Sequence, residues 1–409
     1  MNLIVGKIVN VLCIDMNYHG LGVAKIDDFV IFTRDLFIDE RASVRIISIS
    51  KNYANAEVVN LITKSIHRVR EDKFFLDSTD LYNLSDSEQL RFQIHNTSEQ
   101  LKRAGLEFNN IVPISTENTL NYRNKCKFFV KRDKFLRLFL YDYKYNKIVI
   151  TNFSLASKNT NIILEQINTS SLKFISILES ITFRCNEKDE LMINFNDYIH
   201  PKLYASNENE FLELRKFLYS FPFVKVVYPD RKPLKVEFKG VKYELSYNSF
   251  FQVNYQVADL AFDKISDFFN DINDCIDAYC GLGAIGFSIK NAPKVIFVDN
   301  NRDNIYQLNK KINSNPKYTS YLVDVNTITS KLLGEGIIVD PPRGGLDDTL
   351  INHLNSYIYK KISYLSCDLL TLVRDLKKIK DNYEIVEVYA VRMFPGTSSI
   401  ETLVNLKKR

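Results

Sequence analysis

The 409-residue chain has no C-x-x-C pair among its six cysteines, Cys13, Cys126, Cys185, Cys275, Cys280 and Cys367. That spacing argues against a zinc ribbon, and so few cysteines in so long a chain argue against a disulfide framework. A reducing cytoplasm is therefore the expected location. No uninterrupted apolar run reaches spanning length, so neither a transmembrane helix nor a membrane partner is expected. The opening residues, MNLIVGKIVNVLCID, are broken by Lys7 and Asp15 and lack a small-residue cleavage site. They read as a strand, not as a signal peptide. Internal repeats and low-complexity linkers are missing too. Charge of one sign is scarce: the net charge is +5 with 25% charged residues, which by itself neither demands nor excludes a nucleic-acid partner. The apolar fraction of 45% is ordinary, and at this length it can form the cores of two or three domains.

What is present falls into three stretches. Residues 1–62 carry short runs that alternate or are β-branched: Gly6 to Val11, Gly22 to Ile26, Phe29 to Phe32 and Val44 to Ile47. Gly20, Gly22 and Asp27-Asp28 supply turns, and the pattern predicts a small OB-like β-barrel. Six Lys or Arg stand there against seven Asp or Glu, so any RNA contact would use a local patch. Residues 63–250 read as an α+β central domain. A helix is expected over 84–104, where Ser85 and Glu88 have the spacing of a capping box. Segment 121–137, NYRNKCKFFVKRDKFLR, holds seven Lys or Arg against one Asp. Tyr122, Phe128, Phe129 and Phe135 interleave with the basic residues, as suits a surface that grips phosphates and stacks bases. Tyr122, Arg123, Lys125 and Lys127 are the RNA-binding candidates; a half-buried strand pair with a solvated basic edge is the alternative. From about 251 to 409 strands alternate with helices: strand 275–279, helix 285–291, strand 295–298, helix 301–313, and strands 337–339 and 362–365. That rhythm predicts a doubly wound, Rossmann-like α/β domain with a parallel sheet.

In the third stretch, DAYCGLGAIG at 277–286 joins a strand to a helix. Gly281, Gly283 and Gly286 fit G-x-G-x-x-G, which allows close approach to NAD, FAD or S-adenosylmethionine. Tyr279 lies within the same loop. Asp299, 22 residues after Asp277, ends the next strand and is placed to accept both ribose hydroxyl hydrogens. Asp324 follows Tyr321-Leu322-Val323, taken as the third strand, and would face an adenine amine. Plain turn-making and helix capping are the alternatives for these residues. The fourth strand runs into Asp340-Pro341-Pro342-Arg343-Gly344-Gly345. Two prolines make a rigid exit, and D-P-P favours S-adenosylmethionine over NAD.

Cys367 follows the strand 362–365 and precedes a helical stretch, Leu369 to Ile379. The positive helix end is expected to favour its thiolate. A soft nucleophile beside a methyl donor suits a ring carbon that cannot take a methyl group unaided, such as carbon 5 of uracil. Thiolate addition at carbon 6 activates carbon 5, and a general base must then remove the carbon 5 hydrogen. The other five cysteines read as buried structural residues.

Several segments taken together, Phe250-Phe251-Gln252-Val253-Asn254, DAYCGLGAIG, DPPRGGL at 340–346, SCD and TLVRDL at 366–376, and MFPGTSSIET at 393–402, resemble the RNA uracil-5-methyltransferase family. Tyr122-Arg123-Asn124-Lys125 is similar to a further signature of that family. HGLGVAK at 19–25 resembles the TRAM domain of its 23S ribosomal-RNA branch. The resemblance implies a class I methyltransferase domain over 251–409, a TRAM-like barrel over 1–62 and an RNA-binding domain over 63–250. It implies that Gln252, Tyr279, Gly281, Gly283, Asp299, Asp324 and Asp340 hold S-adenosylmethionine. Cys367 would be the nucleophile and Glu401 the base. Many members carry four cysteines for an iron–sulfur cluster; residues 63–90 have none, so no cluster and no metal site are expected. Arg392, Gly396 and Ser399 stand where the family's final motif has other polar groups. A monomer acting on 23S rRNA is expected, with tRNA the alternative substrate because the tRNA branch is expected to lack the barrel. A non-catalytic RNA-binding or assembly factor on the same scaffold is the competing class. A cytosine-5-methyltransferase is disfavoured because Asp340, with no cysteine near it, occupies the fourth strand tip.

Overall fold

The computed structural model describes residues 3–409 except 28, 72–78, 197, 198, 200 and 314. Asp28 of the expected Asp27-Asp28 turn, and part of the cysteine-free stretch 63–90, lie outside the described residues. The chain forms two compact units. Unit 1 comprises residues 1–96, 141–146 and 394–399, and unit 2 comprises the remainder.

Unit 1 is built on β1 (Ile8–Leu12), β2 (Asp15–Met16), β3 (Gly22–Ile26), β4 (Phe29–Thr33), β5 (Arg41–Ile49) and β6 (Tyr53–Thr63). The strands form one sheet in the order β1-β5-β6-β4-β3-β2. Its strands turn alternate residues to one face: Val9 and Val11, Ala42, Val44 and Ile46, and Ala54 and Ala56 share one core. The chain then enters α1 (Asp86–Arg103), where the Glu88 amide donates to Ser85 Oγ at 3.4 Å, one arm of the expected cap.

Unit 2 continues with β7 (Ile111–Ile114), β8 (Lys125–Lys131), β9 (Arg137–Tyr141), β10 (Lys147–Val149), α2 (Lys158–Thr169), β11 (Ser180–Cys185), β12 (Leu191–Phe195), α3 (Pro201–Ser206), α4 (Glu208–Tyr219) and β13 (Val224–Val227). Apart from β7, these strands form a six-stranded sheet, β10-β9-β8-β11-β12-β13. A hairpin, β14 (Leu234–Phe238) and β15 (Val241–Leu245), leads into α5 (Tyr255–Phe268).

Strands and helices then alternate: β16 (Asp274–Ala278), α6 (Ala284–Ser288), β17 (Lys294–Asp299), α7 (Arg302–Ile312), β18 (Tyr318–Leu322), β19 (Gly336–Val339), α8 (Asp348–Ser356), β20 (Lys361–Ser366), α9 (Leu369–Ile379), β21 (Tyr383–Val391) and β22 (Glu401–Lys408). The sheet order is β18-β17-β16-β19-β20-β22-β21-β7. The strands from β18 to β20 run parallel, and β22 inserts antiparallel between β20 and β21. Every residue of β19 and β20 is buried, as a sheet covered on both faces requires. α6 ends at Ser288, three residues sooner than expected, because Pro293 disfavours helix just before the chain enters β17.

The expected domain limits are redrawn. β7 comes from the stretch assigned to a central domain, yet it pairs in parallel with β21 and extends the α/β sheet. Residues 63–96 group with the sheet of unit 1, and most of 97–250 groups with the α/β sheet in one unit.

Candidate active site

Strand order reverses at β16, which has β17 on one side and β19 on the other. Crossovers leave in opposite directions there and open a crevice at the carboxyl ends of the strands. The loop leaving β16 is shaped for close backbone approach. Tyr279, Gly281 and Gly283 have φ of 63°, 56° and 78°, a conformation that is unusual for a tyrosine. A Cβ on Gly283 would lie 2.8 Å from Leu308 and 2.9 Å from Phe297, and one on Gly286 would lie 2.4 Å from the Phe297 ring. The loop is clamped by backbone donors. Gly281 N–H donates to Asp299 at 2.9 Å, Gly286 N–H to Asp277 at 2.8 Å, and Cys280 N–H to the Val298 carbonyl at 3.0 Å. Asp299 also accepts from Asn301 N–H at 2.7 Å. Its two oxygens keep lone pairs for a ligand. Asp324 lies exposed, two residues past the end of β18, and caps a short turn by accepting from Asn326 N–H at 2.9 Å. Capping and ligand binding are compatible for both carboxylates. Burial, then the charge of Asp324, pushes the Tyr279 hydroxyl up to about 12, so the loop and the third strand tip converge.

Three acids lie deeper. Asp340, at the exit of β19, accepts from Gln252 Nε2 at 3.2 Å, and burial raises it to about 7 against that bond. Glu401 is 4% exposed, and burial followed by the charge of Asp340 raises it to about 8. Asp277 is fully buried and raised to about 8 by burial, with Asp340 and Asp299 adding to the effect and the Gly286 N–H opposing it. Its Oδ1 has no hydrogen-bond partner. Among the described residues no basic side chain offsets any of the three shifts. Buried acids without a compensating charge hold their protons more tightly.

Cys367 joins this group through strand register. β20 and β22 pair antiparallel as far as Ser366 opposite Thr402, so the next step places Cys367 across from Glu401. Cys367 is half-buried, and the other five cysteines are buried. Asp368 follows it and caps α9 by accepting from Thr371 N–H at 2.9 Å. The expected bias toward thiolate is corrected. Burial, then Glu401 and Asp340, push the thiol above its ordinary value, and exposed Arg343 only partly opposes them. The fractional charge of a helix end is outweighed by desolvation and two acids. The thiol is therefore held protonated at rest.

The family model for tRNA (Uracil-5-)-methyltransferase matches residues 320–409, which hold Asp340, Cys367 and Glu401, and that for the TRAM domain matches residues 3–59. An uncharacterised RNA methyltransferase of Caldanaerobacter subterraneus is 26% identical over 451 residues, covering 99% of both chains. One from Fusobacterium nucleatum is 26% identical, covering 99% of this chain and 97% of its own. The chain is thus similar to tRNA (Uracil-5-)-methyltransferases over residues 320–409 and to RNA methyltransferases along nearly its whole length. The fold of this methyltransferase is shared with the tRNA (uracil-54, C5)-methyltransferase of Pyrococcus abyssi, solved with S-adenosyl-L-homocysteine. That match has a TM-score of 0.74 and 18% identity, and covers 97% of this chain and 100% of the other. A fold with the N-terminal barrel thus also occurs in a tRNA enzyme, so the barrel by itself does not separate the two RNA classes.

Several positioning residues of the methyltransferase carried no assigned role in the sequence reading. Asn124 Nδ2 donates to the Gln252 carbonyl at 2.7 Å, and its own N–H donates to the Val253 carbonyl at 3.0 Å. It therefore holds the segment that carries the partner of Asp340. The YRNK signature signalled the residue but not this task. Asp375, fully buried on α9, accepts from Leu346 N–H and the Tyr364 hydroxyl, each at 2.8 Å. Arg374 Nη2 donates to the Gly344 carbonyl at 2.8 Å. This pair from TLVRDL pins the loop that follows Asp340.

The basic segment is only partly the surface expected. Lys125 is exposed, and Lys127, Phe129 and Lys131 alternate with it on one face of β8, each half-buried. Lys127 Nζ sits 5.5 Å from the Phe129 ring centre, and Arg123 is half-buried. Tyr122 is 7% exposed and Phe128 1%, so they pack inward and offer no open stacking face. The reading of Tyr122 as an RNA-stacking ring is corrected: the residue precedes β8 and is buried in the core. In the final motif, Arg392 is buried. Within unit 1, Gly396 N–H donates to Gln89 Oε1 at 2.8 Å, and the Ser399 carbonyl accepts from Gln93 at 3.3 Å.

Proposed function

We propose that this enzyme methylates carbon 5 of uracil in RNA with S-adenosylmethionine, using Cys367 as nucleophile and Glu401 as base. The observation that carries the reading is the register that sets a half-buried thiol across from a buried carboxyl, beside Asp340. The residues also fit the methyl donor: the acids lack a cation, and Asp277 Oδ1 lacks a partner. Gln252, Tyr279, Gly281, Gly283, Asp299, Asp324 and Asp340 would hold it. When bound, it supplies the methyl group and a positive sulfonium centre.

Cys367 gives its proton to solvent and Sγ bonds to uracil carbon 6, moving the electrons of the ring double bond toward oxygen 4. Carbon 5 is thereby made nucleophilic enough to take a methyl group. Glu401 then removes the carbon 5 hydrogen onto its carboxylate, the electrons reform the double bond, and Sγ leaves carbon 6. Only the carboxylate form of Glu401 can do this, so the carboxyl must first release its proton, against the pull of burial and Asp340.

The substrate we propose is 23S rRNA, as the sequence resemblance implies; tRNA is the alternative, which the barrel does not exclude. The target base would be unpaired and turned into the crevice. Transfer of labelled methyl groups to unmodified 23S rRNA and to tRNA tests both. Label at carbon 5 of uridine is expected with the native protein and none with Cys367→Ala. RNA containing 5-fluorouracil should trap a covalent adduct at Cys367, because fluorine cannot leave as a proton. Label in cytosine, or label that persists in Cys367→Ala, would overturn the mechanism.

A further inference from the structure

A second cavity, of about 370 Å3, is lined wholly by residues of unit 1. Its floor is apolar: Met16, Phe37, Leu84 and Phe92 are all buried. Its rim is polar. Glu88, Arg91, Phe92 and His95 of α1 line it, and their spacing puts them on one face of the helix. A face that served packing alone would be apolar; three of these four side chains are charged or ionisable. Asp15 and Asp39 complete the rim, and both are exposed.

The walls are held rigid before any ligand arrives. Arg68, whose side chain is 2% exposed, lies 4.5 Å from the centre of the Phe37 ring. The same guanidinium is fixed by Asp35 at 3.0 Å and by Glu40 at 2.7 and 2.9 Å. On the opposite wall, Arg91 and His67 both meet Glu88, at 2.7 and 3.6 Å. Preorganisation of this kind lowers the entropic cost of binding.

We propose that this cavity holds one unpaired, amino-bearing base of the RNA substrate, distinct from the uracil that reacts. The inference rests on the reading of the enzyme as an RNA methyltransferase. The volume lies at the low end of the roughly 300–1,000 Å3 typical of small-molecule sites. Phe37 and Phe92, 1% and 8% exposed, close the apolar floor on which a base would rest. The carboxyl groups of Asp15 and Asp39, both exposed on the rim, can accept hydrogen bonds from the exocyclic amino group of adenine, cytosine or guanine, a donor that uracil lacks. The barrel residues 1–62 have no basic excess, with six Lys or Arg against seven Asp or Glu, so bulk attraction for phosphate does not hold RNA there. A base pocket supplies a grip that charge does not, and adds selectivity for the sequence around the target.

The test uses the full-length protein and a substrate RNA in which each unpaired base flanking the target is replaced in turn by uridine. One position should weaken binding to the native protein about tenfold, as loss of a charge-assisted hydrogen bond predicts. Asp15→Asn/Asp39→Asn should weaken binding to the parent RNA about as much, and should show no further loss with uridine at that position. Asn tolerates the left-handed backbone at Asp39, where φ is 70°, so the variant should fold. KM for RNA should rise while kcat at saturating RNA holds. Native affinity in the double variant, or loss that couples to no single base, overturns the pocket while native methyl transfer continues. If the native protein transfers no methyl group to RNA at all, the underlying reading fails as well.

Discussion

Replacing Glu401 by glutamine should change how stability depends on pH, in a direction set by burial. The Glu401 carboxyl is raised from 4.5 to about 8, first by burial and then by Asp340. In the unfolded chain the group ionises near 4.5; in the folded protein it keeps its proton until about pH 8. Folding therefore takes up a proton between those values. The stabilisation this represents is complete below pH 4.5 and is lost as pH rises toward 8, at about 1.4 kcal/mol per pH unit. From about pH 5 to about pH 7.5 the native protein should lose on the order of 3 kcal/mol through this one group. Glutamine carries no proton to lose. Glu401→Gln should thus gain on the native protein by that amount across the range, while Asp277 and Asp340 contribute to both proteins. Urea unfolding at several pH values, followed by tyrosine near-ultraviolet circular dichroism, measures the difference. A difference that stays constant with pH would refute the claim that Glu401 is buried without a compensating charge. The same logic predicts that S-adenosylmethionine stabilises the native protein more than S-adenosylhomocysteine, whose sulfur carries no charge, increasingly so at higher pH, and that the gap narrows in Glu401→Gln.

Asn124→Ala should raise KM for the methyl donor more than it lowers kcat, because it frees the Gln252 carbonyl and loosens the partner of Asp340. Steady-state kinetics read the split, and unfolding should show a loss of about 1–3 kcal/mol for the buried carbonyl left without its donor. Gly286→Ala should abolish donor binding by calorimetry and lower the melting temperature, since the added carbon would meet the Phe297 ring at 2.4 Å and Asp277 at 2.9 Å. Asp368→Ala should cost about 1 kcal/mol as α9 loses its cap, and should slow 5-fluorouracil adduct formation because Cys367 precedes that helix; unchanged trapping would separate the cap from the nucleophile.

The amino-acid sequence alone determined the order of the parts. Strand-and-helix alternation after residue 255 specifies a parallel sheet, the glycine loop and D-P-P exit mark its candidate ligand end, and a cysteine after the fifth strand is the candidate nucleophile. These are local signals: spacing, turn chemistry and residue type survive without knowledge of distant neighbours. Other features depended on what lies far away in the chain. Glu401 faces Cys367 only because β22 inserts antiparallel beside β20. The resting thiol is protonated, against the expectation from its helix end, because burial and two remote acids set its charge. β7 joins a sheet almost 300 residues further along by pairing with β21, although nothing in Ile-Val-Pro-Ile names that partner. Tyr122 is buried, although its basic sequence neighbours suggested an open surface. Pairing partners, burial and electric fields are sums over neighbours brought together by folding, so only the tertiary structure decides them.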